Sequence, residues 1–281
     1  MNVSVCICTR NRPEDLANAL KSVRKSRFPI HQIIVSDDGT DNRTKELVLA
    51  DFPEVTYLEG PRKGLCPNRN NALRHVTGTH VLFMDDDVLL DQEFFNEMDL
   101  RLAEYGTYDN VIVTGLEKRN GFLVHPHDQS FLGFQRKAYS NRDELKTVVI
   151  NSTLFPAEMF KTIRFDEQLV YGYDEVDITT RAFHSQYRII LCETAVNQHF
   201  PSPVNRDLYQ PYTEASRIYV TFKRYYHSEN KPWKGIAFLS GALAHAMAYG
   251  LKNSGVKGLS KAAFTCKTSL TYIRNLRKQA A

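Results

Sequence analysis

At 281 residues, with 42% hydrophobic and 24% charged side chains, the chain has ordinary globular composition and length for one large α/β core or two small ones. Repeats and low-complexity tracts are absent, and an odd five cysteines without a CxxC pair or metal-type spacing point to a reducing compartment. The formal charge of +4 hides an asymmetry: nine Lys/Arg and no Asp/Glu follow Glu229, leaving 27 bases against 32 acids before it, a split that marks two jobs.

NVSVCICT (residues 2–9) is a β-rich run stopped by polar residues, and because it begins at the N-terminus no secretory signal is expected. Cys6 and Cys8 share one strand face and read as core filler. Pro13 then opens a helix, with Glu14 and Asp15 in its first turn and Leu16, Ala19, Leu20 and Val23 at i, i+3, i+4 and i+7. IIVSDDGTDN is a buried strand running into a turn at Gly39. VTYLEG, THVLFM and NVIVTG read as further strands; PNRNNALRHV, from Pro67, and DQEFFNEMDLRLAEY, capped by Asp91, read as helices. This alternation predicts a Rossmann-like α/β fold, a mostly parallel sheet flanked by helices, in which ligands bind at the C-terminal ends of the strands. Thr9/Arg10, Asp37/Asp38 and Asp85 to Asp87 all fall at such ends.

The segment VLFMDDDVLL puts three carboxylates in a row, and like charges repel. A bound cation, a helix N-terminus or a solvated loop would each explain them. With Asp37-Asp38 able to accept hydrogen bonds from a base or ribose, and Lys63 and Arg69 able to neutralise phosphates, a hard divalent cation held through one or two carboxylates fits best, and it would also relieve the repulsion. His125, His127 and Asp128 in HPHDQSF read as a solvated loop near an acceptor rather than as a second metal site. Asn151, after an apolar strand, is a candidate contact to the donor sugar, and Asp177 is expected to pair with Arg181 at i+4.

Four motifs in order, VSVCICTRNRPEDLANALKSV, IIVSDDGTDNRT, GLCPNRNNALRHVTGTHVLFMDDDV and FDEQLVYGYDEVDITTRAFHSQYRI, resemble the family 2 glycosyltransferases of the GT-A fold, over about two thirds of the chain. The resemblance implies an inverting, metal-dependent hexosyltransferase that moves a sugar from a nucleotide-sugar donor, a UDP-sugar first, to a glycan or lipid-linked glycan acceptor in polysaccharide biosynthesis. It assigns Thr9, Arg10 and Asp38 to base and ribose, Arg69 to the diphosphate, and Asp85 and Asp86 to the donor site. Asp87, with Asp85 and His199, is assigned to Mn2+ or Mg2+. Glu175 stands at the position of the catalytic base, but Asp174-Glu175 reverses the family's common Glu-Asp order, so either acid can fill the role. Inverting transfer needs a carboxylate to take the acceptor's proton and a cation to stabilise the leaving diphosphate. The alternatives are a nucleotidyltransferase, which would use its carboxylates for metal alone, and an inactive sugar-nucleotide-binding scaffold.

The last fifty residues differ. GIAFLSGALAHAMAYGL (residues 235–251) carries no Asp, Glu, Lys or Arg and is at the short edge for spanning a bilayer. A basic amphipathic stretch follows. Residues 206–281 are therefore expected to form a helical extension beyond a catalytic domain of residues 1–205, itself a nucleotide-binding half (1–115) and an acceptor half (116–205). The extension would lie on an anionic membrane surface with Ile236, Phe238, Leu239 and Leu243 in the apolar layer; packing on the catalytic domain is the plainer alternative. The location expected is the cytoplasm, peripheral at the inner face of the cell membrane. A basic tail without a nucleic-acid module predicts no nucleic-acid partner.

Overall fold

Seven successive residues, VSVCICT, are buried on both faces, as a central parallel strand requires. In the computed structural model, which describes residues 1–201 and 206–279, they form β1 (Val3–Thr9). There follow α1 (Pro13–Arg24), β2 (Ile30–Asp37), α2 (Arg43–Asp51), β3 (Thr56–Glu59), α3 (Leu65–Leu73), β4 (His80–Asp85), β5 (Val88–Leu89), α4 (Phe94–Tyr105) and β6 (Val111–Arg119). The second half holds β7 (Phe122–Val124), β8 (His127–Gln129), β9 (Gln135–Ala138), β10 (Thr153–Pro156), α5 (Asp174–His184), β11 (Arg188–His199), α6 (Arg206–Lys223) and α7 (Pro232–Gln279). The fold is the expected α/β one: a mostly parallel sheet, ordered β3-β2-β1-β4-β10-β6-β11-β5, between layers of helices.

The apolar stripe of α1 is buried at Leu16, Ala19, Leu20 and Val23, as its spacing predicts. Several elements depart from the sequence reading. α2 carries only two buried residues, Thr44 and Val48, so its apolar signal is faint. α3 starts at Leu65, two residues before Pro67, because Gly64 at φ 108° turns the chain into it. The strand expected before Asn151 lies after it. Val149 gives its N–H to the Thr114 hydroxyl and not to a neighbouring strand, and residues Ile150–Ser152 make a 3-10 turn that leads into β10. β8 lies in the segment HPHDQSF, read as a loop, with β7 just before it and β9 just after it.

One apolar cluster lies between the sheet and α1, α2 and α4. The other joins Cys6 and Phe83 of the sheet to Cys66 of α3, Val176 of α5, Tyr219 and Phe222 of α6, and Phe238 and Tyr272 of α7. The C-terminal helices thus share the core that backs α5; the boundary expected at residue 205 lies outside the described residues. α7 breaks at Ser254 and Gly255 and doubles back so tightly that a Cβ on Gly258 would stand 1.9 Å from the Gly250 carbonyl oxygen. Both halves reach the α6 region, Phe238 on Tyr225 and Tyr272 on Tyr219. Phe238 is therefore fully buried and closed to lipid, and Leu239 is half-buried against the core. Of the four residues expected in an apolar membrane layer, Ile236 alone is mostly exposed, at 56%, and it is joined by Trp233, Met247, Tyr249, Leu251 and Val256. Among the described residues no helix is long and apolar enough to cross a membrane.

Candidate active site

Strand register brings the polar clusters together. Thr9 pairs with Asp37 across β1–β2 and Cys8 with Asp85 across β1–β4, so three chain segments separated in sequence end side by side. On the far side β11 pairs antiparallel with β5, setting His199 opposite Val88, while the Phe200 N–H donates to the Asp87 carbonyl at 2.9 Å. That pairing carries His199 to the aspartate run.

Each aspartate of the run has its own environment. Asp85 is 30% exposed at its side chain and accepts from Arg69 Nη2 at 3.1 Å. Its N–H donates to Asn151 Oδ1 at 3.0 Å, so Asn151 faces the protein backbone here. Asp86 is buried, accepting from Thr9 Oγ1 at 2.7 Å and Arg12 Nη1 at 2.8 Å. Burial pushes its carboxyl up to about 7 against the pull of Arg12. Asp87 accepts from Arg12 at 2.9 Å through Oδ2, and its Oδ1 lies 3.2 Å from His199 Nε2. Burial works against its charge, but His199 and Arg12 hold its carboxyl below the usual range.

His199 also reaches Glu117, Nδ1 to Oε2 at 2.8 Å, and Glu117 is buried and paired with Arg119 at 3.1 Å. Burial lowers the imidazole's affinity for protons, yet the two flanking carboxylates raise it further, to about 9. In this structure the protein's own cations neutralise the aspartate run, which the sequence assigns to the donor site and a metal. Arg12, Glu117 and Arg119 escaped that reading. An acid inside the strand-like NVIVTGLEKR and a second arginine in TRNRP were the available signals.

Arg69 is 1% exposed and ties the run to α5, with one amine on Asp85 and the other on Asp174. Its guanidinium is thus engaged by two carboxylates in this structure. Asp174 is buried, and burial holds its carboxyl above the ordinary range despite Arg69. Glu175, the next residue, keeps partial access to solvent, and its carboxylate makes no side-chain hydrogen bond or ion pair to another described residue. Burial, and then the neighbouring Asp174 charge, raise its pKa. Both acids lie in the first turn of α5, where the helix dipole favours anions.

The nucleotide-side residues lie at the ends of β1 and β2 and in the loops that follow. Asp38 is buried and accepts from the backbone N–H of Arg62 at 2.8 Å and Gly64 at 3.4 Å, shaping the loop before α3. Asp37 accepts from Gly39 N and Tyr57 Oη. Arg10 and Lys63 are exposed. His127 bonds the His125 carbonyl and, with Asp128, belongs to β8. Asp91 accepts from Glu93 N in the turn entering α4. Asp177 pairs with Arg181 as expected, and Lys223 of α6 bridges it to Asp166 at 2.8 and 2.7 Å.

The residues fit a divalent metal. Asp87 Oδ1 and His199 Nε2 stand 3.2 Å apart, close to the ~3 Å edge of an octahedron built on ~2.1 Å bonds. The imidazole's far nitrogen is fixed by a buried carboxylate, as metal-binding histidines usually are. Among the described residues no group of three or more His, Cys, Asp or Glu forms a ready-made cage; Mg2+-type sites commonly complete their shells with water and substrate phosphates.

A parallel sheet that gathers acids from three strand ends and a helix N-terminus at its carboxyl edge is the frame of a GT-A glycosyltransferase. The Glycosyl transferase family 2 model matches residues 4–165, and the chain belongs to that family. It is 35% identical over 94 residues to the GalNAc(5)-diNAcBac-PP-undecaprenol beta-1,3-glucosyltransferase of Campylobacter jejuni, 30% of this chain and 29% of that one. Matches to the first curated relatives span 26 to 63% of their lengths. Among solved structures, S. aureus TarS 1-349 with UDP superposes at TM-score 0.60 and 20% identity, over 90% of this chain and 74% of that one. The mannosyltransferase PcManGT from Pyrobaculum calidifontis, with GDP-Man and Mn2+, superposes at 0.61 and 18%, over 97% and 87%. At these identities the likeness is one of fold.

Proposed function

We propose that the protein transfers a sugar, with inversion, from a nucleotide-sugar donor to a glycan or lipid-linked glycan in polysaccharide biosynthesis. The observation that carries this is the division of labour at the start of α5: Asp174 is engaged by Arg69, whereas the neighbouring Glu175 carboxylate has no side-chain partner among the described residues and a raised proton affinity. A carboxylate of that kind suits a general base that takes the acceptor hydroxyl's proton as it attacks the anomeric carbon. Thr9, Arg10 and Asp38 would border the base and ribose. Arg69 would act from beneath, holding Asp85 and Asp174 in register. Asp87 and His199, with Asp85 beside them, would hold Mn2+ or Mg2+, which when bound would neutralise charge on the departing diphosphate.

The UDP in TarS 1-349 supports a UDP-sugar donor, and the Mn2+ in PcManGT supports a divalent cofactor. The Campylobacter relative, named for a PP-undecaprenol-linked acceptor, supports a lipid-linked one. A panel of nucleotide sugars, screened by thermal stabilisation with and without Mn2+, tests the reading. One donor should raise the melting temperature only with metal, and Asp87→Asn should abolish that rise while keeping the fold. Full transfer in excess chelator would overturn the metal assignment.

Peripheral attachment at the inner face of the cell membrane is part of the same proposal, favoured by the exposed Leu251 and Val256 beside Lys252 and Lys257 in the chain, and by the exposed Trp233, Ile236 and Tyr249 of the same α7. Each Lys or Arg near an anionic surface contributes up to about 1 kcal/mol, and the apolar side chains add a part that salt does not screen. The protein should float with anionic liposomes, less with neutral ones, and resist high salt in part. Trp233→Ser with Leu251→Ser should remove the salt-resistant fraction; binding by the double variant equal to wild type would refute the surface.

A further inference from the structure

We propose that Arg12 is the standing counter-ion of the aspartate run, holding oxygens of Asp86 and Asp87 that compete with an incoming divalent cation, and so sets the affinity for metal. This rests on the metal reading of Asp87 and His199 given above.

One amine of Arg12 contacts both acids, Asp86 Oδ1 at 2.8 Å and Asp87 Oδ2 at 2.9 Å. The other oxygens are engaged as well, Asp86 Oδ2 by Thr9 at 2.7 Å and Asp87 Oδ1 by His199 at 3.2 Å. The two acid side chains are only 5% and 9% exposed with Arg12 in place, so the guanidinium is their main cationic cover on that side. Removing the cation would leave adjacent buried carboxylates facing each other, which is costly. Arg12 itself is 35% exposed and lies on the solvent side of the pair, where it can swing outward. A cleft of about 420 Å³ between α1 and Phe200 opens onto Asp86 and Asp87.

The loop that carries Arg12 has a defined pivot. Asn11 sits in the left-handed region at φ 58°, and its side-chain oxygen accepts the Thr40 N–H at 2.8 Å. The loops after β1 and β2 are thereby latched together. A divalent ion at Asp87 and His199 would sit within a few ångströms of the guanidinium, and like charges at that distance repel. Either Arg12 leaves Asp87 when metal enters, or the metal binds weakly beside it. In both cases the arginine works against metal, a positioning residue acting through the carboxylates.

The test is Mn2+ binding to the full-length protein at pH 8 without donor, followed by electron paramagnetic resonance. Arg12→Gln should bind Mn2+ about tenfold more tightly or better, the usual size of one nearby charge, and Arg12→Lys should stay near wild type. The metal-free melting temperature of Arg12→Gln should fall and its Mn2+-induced rise should exceed that of wild type. Equal or weaker Mn2+ binding by Arg12→Gln, with wild type binding normally, overturns the proposal and leaves the metal reading standing. Absence of binding in both sinks the two together. Should Arg12→Gln not fold, the Arg12 side-chain NMR signal of wild type decides: Mg2+ should shift it, and no change overturns the proposal.

Discussion

Glu175→Gln should lower the transfer rate by about 10²- to 10⁴-fold, the usual cost of removing a general base, while donor affinity stays nearly unchanged. The amide keeps the size of the side chain but cannot take a proton, and no described side chain depends on that carboxylate for a partner. The sign of the pH dependence follows from the same site. Burial, and then the charge of Asp174, raise the Glu175 pKa, and only the ionised form is a base. The wild-type rate should therefore fall as pH drops through a value above the usual ~4.3 of a glutamate, and that limb should vanish in Glu175→Gln. Asp174→Asn should act differently, losing stability more than rate, because it weakens the partner of a buried guanidinium. If Asp174→Asn is the inactive variant and Glu175→Gln turns over normally, the two roles are reversed.

The second large effect is expected from Lys223→Met. The lysine's ammonium lies 2.7 Å from Asp166 and 2.8 Å from Asp177, and all three side chains are at most 12% exposed. Methionine would fill the space and leave two buried acids short of a cation. Breaking such a pair by removing one partner typically costs about 3–5 kcal/mol. A value near the lower end is expected, since Arg181 still reaches Asp177 and the Tyr219 hydroxyl still donates to Asp166. Urea unfolding measures it. Adding Asp166→Asn to Lys223→Met should restore part of the loss, as a double-mutant cycle would show. A loss below about 1 kcal/mol would mean that the network behaves like surface pairs and that α6 does not brace α5 through Lys223.

What could be read in the chain follows the range of each interaction. The spacing of Leu16, Ala19, Leu20 and Val23 and the doubly buried run of β1 are local patterns, and both emerge in the structure as written. Their alternation was enough for a parallel α/β sheet and for the placement of Thr9, Asp37 and Asp85 at neighbouring strand ends. The family followed from motif order. α2 was not legible, because only two of its residues, Thr44 and Val48, are buried. The fate of the C-terminal apolar run was not legible either, since a helix face turned toward lipid and one turned toward Tyr225 have the same composition.

The amino-acid sequence by itself determined the main strands and helices of the first half, their order and the carboxyl edge where acids gather, because hydrophobic period and turn chemistry act over a few residues. Only the tertiary structure decided who neutralises those acids. Arg12 is 74 residues from Asp86, Glu117 is 82 from His199, and Arg69 is 105 from Asp174, and nothing local in the chain announces such partners. They are chosen when folding removes water from the carboxylates, since a buried charge must then find its counter-charge wherever the sheet register and the helices of the core present one.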